Sequence, residues 1–251
     1  MKLQFRHRCL PIIVGIISTI WLTGCETRSI SDSGYRGASP YGSHLPASDS
    51  GFKGELSEFD VLGVQRDGQI TEEQIGKALD AAARVRLRKG CSLLLIQSGA
   101  YQPDHPMTHA LAKNFNVVPF DGRPETKSDK NPETYAKALR LAAARAGCEA
   151  VICYWGTLES ARRNLESKSV SWVPVVGWVL PDERQHMRIR LKVAIVDVRS
   201  GNWTMFSPEA FDHRALSSMF NKEASDQGQV DKLKQSAYES AASDLAKLYT
   251  N

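Results

Sequence analysis

The sequence predicts an α/β protein, an α+β mixed sheet in a single two- or three-layer domain with a long antiparallel hairpin and a C-terminal helix. Three observations carry this. Apolar runs bounded by glycine recur at Ser92–Gln97 and residues 150–158, the pattern of strands buried on both faces. Stretches with three- and four-residue apolar spacing separate them, as in helical crossovers between parallel strands. Residues 186–198 instead alternate strictly, Met187, Ile189, Leu191, Val193 and Ile195 against Arg188, Arg190 and Lys192, as a half-exposed antiparallel strand does.

Taken in order, the chain opens with Lys2, Arg6 and Arg8, followed by an apolar run over residues 9–21. A basic start, an apolar stretch and small residues make a secretory signal peptide. The run is roughly 13 residues, short of the ~20 that a membrane-spanning helix needs. It ends in Leu22-Thr23-Gly24-Cys25, which resembles the lipobox of bacterial lipoproteins. That resemblance implies removal of residues 1–24 and lipidation (palmitate among the acyl groups) of Cys25. Glu26 follows rather than the Asp that signals inner-membrane retention, which implies the outer membrane, with the chain facing the periplasm. Losing the signal's three cations lowers the formal net charge from +4 to +1. So balanced a chain gives no case for nucleic acid.

Residues 25–54 are rich in Ser, Gly and Pro and poor in aliphatics, the composition of a flexible tether. The globular part is expected over residues 55–251. Residues 59–64 read as a short strand closed by a turn at Arg66-Asp67-Gly68. Thr71 and Gln74 fit a capping box opening a helix. Ile75, Ala78, Leu79, Ala82 and Val85 form its apolar stripe, and Arg84, Arg86, Arg88 and Lys89 lie toward its C-terminus, where cations match the helix dipole. After the buried strand at 92–97, residues 107–114 form a short helix starting near Pro106, and 115–120 the next strand. Residues 133–146 form a helix with Tyr135, Ala138, Leu139, Ala142 and Ala146 on one face, stopped by Gly147. Arg199-Ser200-Gly201-Asn202 turns the alternating strand into a hairpin with residues 203–206. Val230, Leu233, Ala237, Ala241, Leu245 and Leu248 mark the last helix.

This order resembles a group of bacterial envelope proteins that includes the curli secretion channel lipoprotein, the penicillin-binding-protein activator lipoproteins and the N-terminal domain of the Tol translocation protein. Two stretches carry the resemblance: Ala146-Gly147-Cys148-Glu149-Ala150-Val151-Ile152, and Leu191-Lys192-Val193-Ala194-Ile195-Val196-Asp197-Val198-Arg199-Ser200-Gly201. It covers residues 91–250 and speaks to fold more than to function. It implies turn chemistry for Asp197 and Gly201, and leaves the partner open.

Chemistry is sparse. Cys91, Cys148 and Cys153 remain after the signal and the lipidated residue are set aside. They read as small buried hydrophobes, with a Cys148–Cys153 bridge open only if a bulge separates the two. His105 and His109 are four apart, the spacing of two metal ligands on one helix face, yet position 106 is Pro where a zinc peptidase needs Glu, and His105 is expected to precede the helix. Ser98-Gly99-Ala100 lacks the G-x-S-x-G elbow. Gly63, Gly68 and Gly76 make no phosphate-binding loop. Asp182 and Glu183 are adjacent and read as turn residues. No catalytic set, metal or cofactor is assigned.

The segment Trp172-Val173-Pro174-Val175-Val176-Gly177-Trp178 stands out, because bracketed tryptophans mark partner hot spots or membrane-interface contacts when they do not fold into the core. The expectation is a non-enzymatic outer-membrane lipoprotein that binds or regulates another envelope component. Cys25 is the anchor and Trp172, Val175, Val176 and Trp178 the contact, with a homo-oligomer as a further partner. The alternatives are an envelope hydrolase, such as a peptidase, using His105 and His109, and an oligomeric secretion-channel component.

Overall fold

The computed structural model describes residues 26–32, 54–64, 70–124, 132–164, 183–217 and 222–250. Its elements run β1 (Glu26–Ser29), a 3-10 turn (Ile30–Asp32), α1 (Glu58–Leu62), α2 (Glu72–Ala81), β2 (Ser92–Gln97), α3 (His105–Ala112), β3 (Asn116–Phe120), α4 (Pro132–Arg145), β4 (Ala150–Asn164), β5 (Glu183–Asp197), β6 (Trp203–Phe206), β7 (Phe211–Ser217) and α5 (Lys222–Tyr249). They build one mixed seven-stranded sheet in the order β3-β2-β4-β5-β6, with β1 beside β4 and β7 beside β5. The α/β class and the C-terminal helix are therefore as the sequence predicts.

β2 pairs in parallel with both β3 and β4, through the crossovers that carry α3 and α4. β4 and β5 then pair antiparallel along their whole length, from Ala150 opposite Asp197 to Asn164 opposite Glu183. Period-two alternation sorts the side chains into two cores. Leu93, Leu95, Ile152, Tyr154 and the Met187-to-Ile195 face of β5 pack with α3 and α5. Leu94, Ile96, Val151, Cys153, Trp155, Ala194 and Val196 pack with α1 and α4. Pro119 lies in β3, an edge strand, where its missing N–H costs no ladder bond on the open side. At the β5–β6 turn, Asp197 Oδ1 accepts from the Ser200 backbone N–H at 2.6 Å and its hydroxyl at 2.7 Å, and Gly201 takes φ 78°. Asp197 and Gly201 thus do turn chemistry.

Several elements differ from the sequence expectation. Residues 58–62 are a helix, not a strand. Glu58 and Asp60 favour its positive N-terminus, and Gly63 (φ 71°) closes it, with Val64 N–H donating to Phe59 O at 3.0 Å. A short apolar run fits either period, and here the cap decides. The capping box of Thr71 and Gln74 is formed, yet α2 stops at Ala81. Its stripe meets no core, since Ile75 is 44% and Leu79 71% exposed. The chain then runs extended, with Val85 and Leu87 buried and Arg84, Arg86 and Arg88 facing out, so the basic residues line an extended segment rather than a helix end. Leu87 N–H donates to Tyr249 O at 2.7 Å, and Arg88 Nε to Glu149 Oε2 at 3.0 Å.

α3 begins at His105, two residues earlier than expected, with Pro106 inside its first turn. The buried face of α4 is Ala136, Leu139 and Ala143, and Ala138 and Ala146 are exposed. Leu248 is 64% exposed although it follows the stripe of α5. β7 had no distinct signal and adds to the edge of β5. Cys91, Cys148 and Cys153 are free and buried, without the bridge left open between the last two.

Residues 26–32, whose composition matches the expected tether, lie on the sheet. Glu26, Thr27, Arg28 and Ser29 pair with Ser160, Glu159, Leu158 and Thr157.

Candidate functional site

The carboxyl end of β2 is where an open α/β sheet places its ligand crevice. Here the chain fills that place itself. Tyr154 Oη donates to Gln97 Oε1 at 2.6 Å, and the Asp104 backbone N–H donates to the same oxygen at 2.7 Å. Gln97 Nε2 donates to Ser31 Oγ at 3.1 Å, and Ser31 Oγ donates to Ser98 O at 2.6 Å. On the other side Asp104 Oδ2 accepts from Tyr238 Oη at 2.6 Å and from Lys234 Nζ at 2.9 Å. The Tyr154 and Tyr238 rings meet edge-on, with centroids 5.7 Å apart. One polar network thus ties the N-terminal segment, β2, the start of α3 and α5 together. Ser98 is 1% exposed and its Oγ accepts from Leu56 N–H at 2.8 Å, an anchoring role rather than that of a nucleophile.

Burial pushes the Tyr154 and Tyr238 hydroxyls well above the ordinary tyrosine range. The Asp104 carboxylate adds to this at Tyr154, and the neighbouring ring of Tyr154 at Tyr238. Burial likewise holds the Cys153 thiol well above its usual value, with Glu55 and Glu58 adding to the effect. Each group binds its proton more tightly folded than unfolded. Their contribution is full below the unfolded values, about 9 for the thiol and about 10 for the phenols, and is lost as pH rises beyond them. The urea midpoint is expected to hold to about pH 9 and then fall, each ionising group adding up to about 1.4 kcal/mol per pH unit. Tyr238→Phe should flatten the part of the fall above pH 10. A midpoint unchanged between pH 8 and 11 would contradict this.

A groove of about 460 Å³ opens on the α1 and α4 side of the sheet, lined by Glu55, Glu58, Trp155, Arg190, Lys192 and Pro208 among others. Its charged groups already have partners. Lys192 Nζ lies 2.5 Å from Glu58 Oε1, Arg190 Nε 3.1 Å from Glu159 Oε1, and Glu55 Oε1 accepts from Ser29 Oγ at 2.6 Å. Trp155 Nε1 donates to Leu56 O at 2.8 Å. Half-exposed pairs of this kind contribute about 0–1 kcal/mol each, so a charged ligand can exchange with them at little cost. The groove suits docking more than proton transfer.

Of the residues singled out from sequence, His105 and His109 do share one face of α3, with rings stacked 6.3 Å apart at 16°. That corrects the expectation that His105 would precede the helix. Among the described residues no group of three His, Cys, Asp or Glu side chains is placed to hold a metal ion. Asp104, beside His105, has its Oδ2 occupied by Lys234 and Tyr238. Cys25 and Trp172, Val175, Val176 and Trp178 lie outside the described residues. What sequence reasoning missed is the network: Gln97, Asp104, Lys234 and Tyr238 are far apart in the chain, and only the paired strands bring them together.

Among the described residues no helix is long and apolar enough to cross a membrane. No curated protein matches the chain. Among solved structures, the chain is similar to a PelC dodecamer from Paraburkholderia phytofirmans, with 13% identity and a TM-score of 0.31, over 68% of this chain and 96% of that one. It is also similar to a protein from Helicobacter pylori described as a homolog of neuraminyllactose-binding hemagglutinin, with 12% identity and a TM-score of 0.29, over 66% of this chain and 86% of that one. A model of the YafT bacterial lipoprotein family matches residues 57–248, which spans the fold from α1 into α5. The chain belongs to the YafT bacterial lipoprotein family.

Proposed function

We propose that the chain is exported, cut before Cys25 and acylated there, and held at the outer membrane facing the periplasm. There its α/β domain binds another envelope component through Trp172, Val175, Val176 and Trp178. Membership of a lipoprotein family supports the anchor, and Glu26 in place of Asp after the lipobox supports the outer membrane. The same reading keeps the chain near the curli, penicillin-binding-protein activator and Tol group, whose hairpin ending it shares at Asp197 and Gly201.

One observation carries the binding role. Residues 165–182, which hold both tryptophans, join the last pair of β4 and β5, Asn164 opposite Glu183. β1 starts one residue after Cys25, with Glu26 opposite Ser160. The lipid-bearing residue and the tryptophan segment therefore depart from the same end of the sheet. A partner held in the anchoring membrane would meet that end first.

The test compares wild type with a Trp172→Ala/Trp178→Ala double variant, both full length and crosslinked in their own membranes. Hot-spot residues contribute about 2 kcal/mol or more, so crosslinked adducts are expected to fall about 30-fold while membrane content and urea midpoint stay the same. Equal adduct yields from the two proteins would contradict the assignment.

A further inference from the structure

We infer that the acylated N-terminus is latched onto the domain rather than tethered to it, so that the end of the sheet where β4 and β5 join sits on the anchoring bilayer. The inference rests on acylation at Cys25 as proposed above. Glu26 to Ser29 complete four register positions along β4. Ile30 follows and is 1% exposed, seated over a strand position that has no side chain. A Cβ at Gly156 would lie 2.8 Å from Ile30 Cδ1 and 2.7 Å from Leu191 Cδ2, so the glycine is what lets the isoleucine reach the sheet. Ser31 then enters the polar network through Gln97 and Ser98.

The Ser, Gly and Pro-rich residues do not separate the lipid from the domain. In sequence they come after β1: the chain is on the domain from Glu26 to Asp32 and again from Gly54, and Ser29 Oγ donates to Glu55 Oε1 at 2.6 Å. The difference in reach is large. A free tether of about 30 residues would let the domain wander roughly 30 Å from its lipid. A latched chain leaves the single step from Cys25 to Glu26, about 4 Å.

Toward that end one face of the sheet carries Glu159, Arg188 and Arg190, charged groups suited to phospholipid headgroups. The opposite pole, with Lys89 just before β2, is near Ala150, ten positions along β4 from Ser160 and hence about 33 Å further from the lipid. A partner of the latched domain must lie in the same membrane or come to it.

The test uses the full-length acylated protein in phospholipid vesicles containing nickel-chelating lipid, with a nitroxide on Thr27→Cys or on Lys89→Cys. Cys91, Cys148 and Cys153 are buried, so labelling goes to the new thiol. The label at 27 is expected to relax at least tenfold more strongly with nickel lipid than the label at 89. A Gly/Ser spacer of roughly 20 residues inserted after Cys25, adding about 25 Å of reach, should bring the two readings together. Ile30→Asp should do the same by undoing the latch. Equal readings at the two sites, or a difference that survives the spacer, would overturn the latch while the lipoprotein reading stands. A chain with no acyl group on Cys25 by mass spectrometry would overturn both.

Discussion

Gly122→Ala is expected to cost about 3 kcal/mol or more, or to prevent folding. A Cβ at this position would lie 1.8 Å from Gln97 O and 2.6 Å from Gln97 C, backbone atoms at the end of the buried strand β2. No flexible side chain can move aside there. The loops after β2 and β3 are clamped together by Gly99 N–H donating to Gly122 O at 2.8 Å and Gly122 N–H donating to Ala100 O at 2.9 Å. Relief of the clash would break one of those bonds or shift Gln97, which holds the polar network. Gly76→Ala is the matching control: it lies inside α2 with nothing within 4 Å of an added Cβ, and should stabilise by about 0.5–1 kcal/mol. Urea unfolding of the two variants checks both signs. A Gly122→Ala protein as stable as wild type would contradict the packing described at the end of β2.

Asp104→Ala should cost about 2–3 kcal/mol, because Lys234 and Tyr238 would each lose their carboxylate. Removing one partner of a fully buried ion pair costs more, but here the side chains keep 28% and 15% exposure, and water takes up part of the loss. Adding Lys234→Met removes the stranded cation, so the double variant should recover at least ~1 kcal/mol relative to the sum of the single changes. Hydrogen exchange should accelerate chiefly in α5, which the pair ties to the start of α3. Additive costs, or a loss below ~0.5 kcal/mol, would show that the pair does not hold α5 in place.

The sheet was legible because its signal is local. Leu93 to Ile96 is apolar without interruption, and Met187 to Ile195 alternates with Arg188, Arg190 and Lys192, so burial on two faces and on one can be read directly. The capping box at Thr71 was legible for the same reason, and the end of α2 was not. Ile75 and Leu79 carry the helical period but find no core, so nothing tertiary extends the helix past Ala81. Val85 fits a helix as the third residue after Ala82 and a strand as the second before Leu87, and the pairing of Leu87 with Thr250 decides for the extended form. The latch was the least legible feature. Ile30 is one aliphatic residue in a Ser-rich stretch, and only its place over Gly156, far along the chain, turns it into core. The network of Gln97, Asp104, Lys234 and Tyr238 was hidden likewise, since no spacing links positions so distant. His105 and His109 show the converse: the spacing brought them onto one face, and among the described residues no third ligand joins them.

The anchor at Cys25 is the claim from which the orientation of the sheet and the kind of partner follow. Mass spectrometry of the N-terminal peptide of protein extracted from membranes tests it most directly. The expected result is a chain that begins at Cys25 and carries a diacylglyceryl group on Sγ and an acyl group on the amine. A membrane-held chain that keeps residues 1–24, or starts elsewhere with an unmodified Cys25, would contradict it.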